Sequence, residues 1–136
     1  MTRRVSSGTP WEPVVGYSRA VAAGDHVWVS GCTSVVDGEV VHPDDMAAQT
    51  RQAIRNVADA LAEAGASLYD VVRTRIFVTD ISRWEECARA HGEAFRDVLP
   101  ASTMVEVARL IDPAMLVEVE AVAYRRGVGD GEDALR

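Results

Sequence analysis

Most of the signatures that reveal a protein's chemistry directly are missing from this chain. Its two cysteines, Cys32 and Cys87, stand far apart with no Cys-x-x-Cys spacing. That removes the usual thiol-redox and zinc-ribbon patterns and predicts reduced thiols in place of a disulfide framework. Three histidines, His26, His42 and His91, show no metal-ligand spacing, so no metal is expected. A glycine-rich phosphate loop is absent as well, and no cofactor is expected. No apolar run is long enough to span a bilayer. The start, Met1 to Gly8, carries arginines but lacks the apolar stretch of a secretory signal, so the expected setting is the cytoplasm. A net charge of -7 without a dominant basic patch argues against nucleic acid and anionic membranes as partners.

What is present suits one small domain. The 136 residues are 48% hydrophobic, enough for a real core and short for two. Trp11 to Gly16 reads as an irregular entry. Arg19–Ala22 and His26–Ser30 flank the turn Ala23-Gly24-Asp25, and Asp37-Gly38 marks a second turn. Met46, Thr50, Ala53, Ile54, Val57 and Leu61 recur at helical spacing, with Gly65 as the stop. Val71–Thr79 reads as a strand. Ser82 and Glu85 form an expected capping box for a helix striped by Trp84, Cys87, Ala88, His91, Phe95 and Val98, closed by Pro100. The order predicts one α+β domain over residues 1–126, followed by a disordered tail from Gly127.

Two further strand-like runs are the most informative part of the chain. Thr103–Leu110 alternates valines with Met104, Glu106 and Ala108, and Leu116–Tyr124 sets Val117, Val119, Ala121 and Ala123 against Glu118 and Glu120. Sheet parity predicts an apolar face of Val72, Ile76, Val78, Val105, Val107 and the last strand's small residues, covered by the helices. The opposite face carries Arg73, Arg75, Phe77, Met104, Glu106, Glu118 and Glu120. Such a face is either solvated, with ion pairs worth at most about 1 kcal/mol each, or packed against other copies of the chain. The residues alone leave both open.

Gly16-Tyr17-Ser18-Arg19-Ala20-Val21, Val27-Trp28-Val29-Ser30-Gly31 and the run from Pro100 to Ala123 resemble the RidA/YjgF family of enamine/imine deaminases and their relatives. The resemblance covers about Gly16 to Arg125 in the same element order. It implies a chorismate-mutase-like α+β fold, a mixed sheet covered by two helices on one face, assembled as a homotrimeric barrel. Ligand clefts then lie between subunits, and the charged sheet face becomes interior.

Hydrolysing a 2-imino acid requires a cation for the carboxylate and a general acid/base to activate water. The family supplies the first with the arginine of Pro-Ala-Arg-Ser, where this chain reads Pro100-Ala101-Ser102-Thr103. The resemblance assigns the second role to the later glutamate of the closing strand, Glu120. It places Tyr17, Ser30 and Gly31 in the pocket wall, with Cys32 where a glutamine is frequent and Met104 where a cysteine is. Ser102 cannot replace a guanidinium for an anionic substrate, since a charge-assisted bond is worth roughly 1.5 to 3 kcal/mol. Arg19 is the one compensating cation in view, although a surface or interface role is favoured for it. Glu118 and Arg109 are read as structural, Cys32 as a pocket liner, and Trp11, Trp28 and Trp84 as core or interface fillers.

Two function classes follow. One is a deaminase-type hydrolase of a small reactive enamine or imine that need not carry a carboxylate. The alternative is a non-catalytic homotrimer that binds a small molecule in the same cleft.

Overall fold

In the computed structural model, which describes residues 2–133, a six-stranded sheet is backed by two helices. The chain opens with β1 (Thr2–Val5) and a short helix α1 (Trp11–Val15), then β2 (Ala20–Ala23) and β3 (His26–Cys32). A small hairpin, β4 (Val35–Val36) and β5 (Glu39–Val40), leads to α2 (Met46–Glu63). After that come β6 (Val71–Val78), α3 (Trp84–Phe95), β7 (Ala101–Glu106) and β8 (Val117–Tyr124). The sheet order is β1-β2-β3-β8-β6-β7. Every pairing is antiparallel except β6 with β7, which α3 joins as a crossover.

The core lies between the sheet and the helices. α2 presents Met46, Ala53, Ile54, Val57 and Leu61 to Val27, Val29, Val117, Val119 and Ala121 of the central strands, all buried. Asp45 caps α2, its carboxylate accepting from Ala48 N at 3.0 Å. The α+β layering expected from the sequence is therefore present, with the two long helices on one face.

Several local expectations are corrected. The entry Trp11 to Gly16 is not irregular but a short helix closed by Gly16 at φ 84, whose N–H donates to Glu12 O at 2.9 Å. Ahead of it Arg3 ties β1 to the molecule, its guanidinium donating to the carbonyls of Ala64 at 2.7 Å and Val128 at 2.5 Å. Residues 127–133 are docked and not disordered. Val128 is buried, Gly129 N donates to Gly24 O at 2.8 Å and Gly127 N to Asp25 Oδ1 at 2.9 Å. Composition signals only that this segment cannot build its own core; the β2–β3 turn supplies its partners. The rest of the expected tail, 134–136, lies outside the described residues. No Ser82–Glu85 capping box forms. Asp80 accepts from Ser82 N in a single 3-10 turn, α3 starts at Trp84, and Glu85 pairs with Arg89. Trp84 is exposed, so it fills no core in this chain.

Sheet parity shifts in two places. A bulge between Val71 and Arg73 turns Val72 outward and gives the core face to Val71 and Thr74. On β7 the phase is inverted: Met104 lies beside Ile76 and packs on the core, while Val105 lies beside Phe77 on the open face. β7 also stops at Glu106, short of Leu110, and Arg109 is exposed beyond it. An edge strand is held on one side only, so its own pattern specifies its register weakly.

Candidate functional site

A cavity of about 830 Å³ opens where β3 leaves the sheet. Its walls come from the segment Val5–Trp11, from Tyr17 and Arg19 ahead of β2, from Gly31 and Cys32 of β3, from α2, and from Glu118 of β8. The register between β3 and β8 shifts between Val29 and Cys32. That irregularity brings the open side of Gly31 against Glu118. A Cβ built on Gly31 would sit 2.6 Å from Glu118 Cδ and 2.8 Å from Oε1. Hydrogen at this position is what seats the carboxylate.

Two carboxylates of opposite character flank the site. Glu12 is buried, and burial alone would raise its pKa. Hydroxyl donors from Ser7 at 2.6 Å, Thr9 at 2.7 Å and Ser6 at 3.0 Å, with the Ser7 N–H, outweigh that and hold it at about 2. Glu118 has no such set. Its pKa is raised, first by burial and then by the charge of Glu120, with Arg19 opposing. Glu118 is thus the cavity carboxyl that holds its proton to a higher pH than an ordinary glutamate.

Arg19 lies between them. Expected at the surface or an interface, it is 7% exposed inside the fold. Its Nη1 donates to Gly31 O at 2.6 Å, Nε to Ser7 Oγ at 3.2 Å and Nη2 to Tyr17 Oη at 3.1 Å, and it stacks over the Tyr17 ring. Most of its fork is spent on the chain itself, so it holds the cavity wall more than it offers a free cation. Cys32 lines the same wall. Burial, partly offset by Arg19, pushes its thiol to about 11, which leaves a protonated and poor nucleophile at neutral pH.

Of the residues singled out from sequence, the structure brings together Tyr17, Arg19, Gly31 and Cys32. The others stand outside the cavity wall. Ser30 donates its hydroxyl to Ser18 O at 2.7 Å. Glu120 faces Arg75 at 3.6 Å in a half-open pair on the uncovered side of the sheet. Ser102 sits exposed on the edge strand, and Met104 packs against the core. Glu118, expected to be structural, lines the cavity along with Asp37, Asp59 and Glu63, and its pKa is shifted upward. Glu12 went unnoticed, although three hydroxyl residues in the six positions before it are a legible sign of a carboxylate that will be capped.

The 136 residues contain no lysine, so no lysine amine can hold a carbonyl as a Schiff base. Among the described residues no three His, Cys, Asp or Glu side chains converge as a metal set, and no helix is long and apolar enough to cross a membrane. What the cavity offers is proton transfer from one perturbed carboxyl, with hydroxyl and amide groups around it.

Residues 9–125 match the family model described as Endoribonuclease L-PSP, which places the molecule in a class of small α+β proteins with this helix-backed sheet. The chain belongs to the RidA/YjgF family. A crystal structure of Rv2704 from Mycobacterium tuberculosis, a member of the YjgF/YER057c/UK114 family, is 52% identical with a TM-score of 0.84, covering 91% of this chain and 99% of that one. The YjgF gene product of E. coli is 32% identical with a TM-score of 0.75, covering 91% and 94%. The 3-aminoacrylate deaminase RutC of Acinetobacter baylyi is 36% identical over 118 residues, 86% of this chain and 92% of its own.

Proposed function

We propose that this protein is a deaminase-type hydrolase for a small reactive enamine or imine, with Glu118 as its general acid/base. The observation that carries the reading is the position of Glu118: one carboxyl with a raised pKa, seated on Gly31 and facing a cavity beside Tyr17 and Arg19. Adding water to a C=N bond needs a group that gives a proton to nitrogen and takes one from water. A carboxyl with a raised pKa is suited to both.

The substrate class is set by charge. Asp37, Asp59, Glu63 and Glu118 line the cavity, against Arg19 alone. A neutral or protonated imine is therefore favoured over a 2-imino acid anion. An RNA substrate, which the family model's description would suggest, is disfavoured by the same carboxylates and by the net charge of -7.

The assembly is a homotrimer in this reading. On the sheet face away from the helices, Trp28, Val105 and Tyr124 are exposed beside Arg73, Arg75 and Glu120. An apolar patch with complementary charges suits burial against further copies.

Ammonia release from freshly generated imines tests the activity, with neutral imines and 2-imino acids compared for the wild type and Glu118→Gln. Release from neutral imines that falls at least about 100-fold in the variant is expected. Release unchanged by Glu118→Gln removes the assignment, and no release from any imine favours a non-catalytic small-molecule-binding trimer.

A further inference from the structure

Away from the cavity, three polar side chains from three elements form a continuous hydrogen-bonded line. Thr74 of β6 places Oγ1 2.8 Å from Ser102 Oγ on β7 and 2.9 Å from His91 Nε2 on α3. Thr74 is fully buried while Ser102 is exposed, so the threonine hydroxyl connects an accessible oxygen to a sheltered imidazole. The His91 ring lies against Phe95, with centroids 4.5 Å apart, which fixes its plane. Burial lowers the His91 pKa, so the imidazole is neutral near pH 7 and one ring nitrogen is an acceptor. A hydroxyl gives one proton and accepts another. As placed, the Thr74 hydroxyl donates to Ser102 Oγ. Rotating both hydroxyls reverses the line, so that Ser102 O–H points to Thr74 Oγ1 and Thr74 O–H to His91 Nε2. β7 is also the sheet's edge, where backbone N–H groups without a strand partner are available to a developing oxyanion.

We propose that Ser102 is an acylable nucleophile, with Thr74 and His91 as its proton relay, for small activated acyl compounds such as esters and thioesters. In acylation Ser102 Oγ bonds to the acyl carbon as the carbonyl electron pair moves onto oxygen. The serine proton passes to Thr74 Oγ1, and the threonine proton passes to His91 Nε2. Collapse of the adduct breaks the bond to the leaving oxygen or sulfur, which departs as an anion with the electron pair, and His91 releases its proton to water. Water then attacks the acyl carbon, the same relay takes its proton, and Ser102 recovers one as the carboxylic acid leaves. Ser102 is the catalytic residue here; Thr74 and His91 act through it.

The test uses the full chain and p-nitrophenyl acetate, followed by release of p-nitrophenolate, intact mass and peptide mapping. A single acetyl group on Ser102 is expected, absent in Ser102→Ala. Thr74→Val and His91→Ala should slow acetylation by roughly 100-fold, while Thr74→Ser, which keeps the hydroxyl, should retain it. A merely structural role for Thr74 would lower the melting temperature in both threonine variants without separating their acetylation rates. Acetylation elsewhere, no acetylation, or equal rates in Thr74→Val and Thr74→Ser overturns the proposal. Should His91→Ala fail to fold, the threonine pair decides alone.

Discussion

Gly31→Ala isolates the seat of Glu118 with a single methyl group. The added Cβ would lie 2.6 Å from Glu118 Cδ, whereas ordinary contact begins near 3.4 Å. The carboxyl must therefore withdraw by roughly 0.8 Å. The backbone at Gly31 has no left-handed φ, and the group that must move is the end of a flexible side chain, so the fold is expected to tolerate the change. Catalysis is less tolerant. A displacement near 1 Å of a group engaged in proton transfer costs on the order of 100-fold. Hydrolysis of a neutral imine should accordingly fall by about that factor in kcat/KM, with the melting temperature changed by only a few degrees. A second readout does not depend on the substrate. Burial is the first cause of the raised Glu118 pKa, so a carboxyl pushed toward solvent should titrate closer to an ordinary glutamate by NMR. Full activity together with an unmoved Glu118 pKa would refute the claim that Gly31 positions the acid.

Three other outcomes are expected. Glu120→Gln should leave imine hydrolysis within a few-fold of wild type and cost at most about 1 kcal/mol, since it removes only a half-exposed pair with Arg75; Glu118→Gln in the same assay should lose the activity. Glu12, with its folded pKa near 2 against 4.5 when free, contributes stability that is present above pH 4.5 and lost as the pH falls toward 2, worth about 3 kcal/mol in all. Glu118 acts with the opposite sign, its raised pKa making the fold less stable as the pH rises past 4.5; acid titration of melting temperature should lose the first slope in Glu12→Gln. In the proposed homotrimer, Val105→Asp on the uncovered sheet face should give monomers by light scattering while circular dichroism stays native.

Much of the fold was legible because its signals are local. The period-two runs in β6 and β8 and the helical stripe of α2 each repeat long enough to define their own elements, and the motifs around Tyr17, Ser30 and Pro100–Ala123 indicated the family. The errors fall where partners are distant in sequence. β1 has no apolar alternation and exists because β2 and the tail hold it. β7 contacts the sheet along one edge, and the helix start at Trp84 was decided by Asp80, outside the expected box.

The site shows the same division more sharply. Sequence alone determined that the last strand carries two carboxylates on one face, that Ser102 stands in place of an arginine, and that Gly31 precedes Cys32. The resemblance pointed to Glu120, but residues two apart on a strand share a face and differ only in what lies opposite. Tertiary structure sets their surroundings apart. Glu120 meets Arg75 across the β6 ladder in a half-open pair near solvent, whereas Glu118 meets Phe77 on one side and the bare backbone of Gly31 on the other. Desolvated and without a direct cation, it keeps its proton to a higher pH.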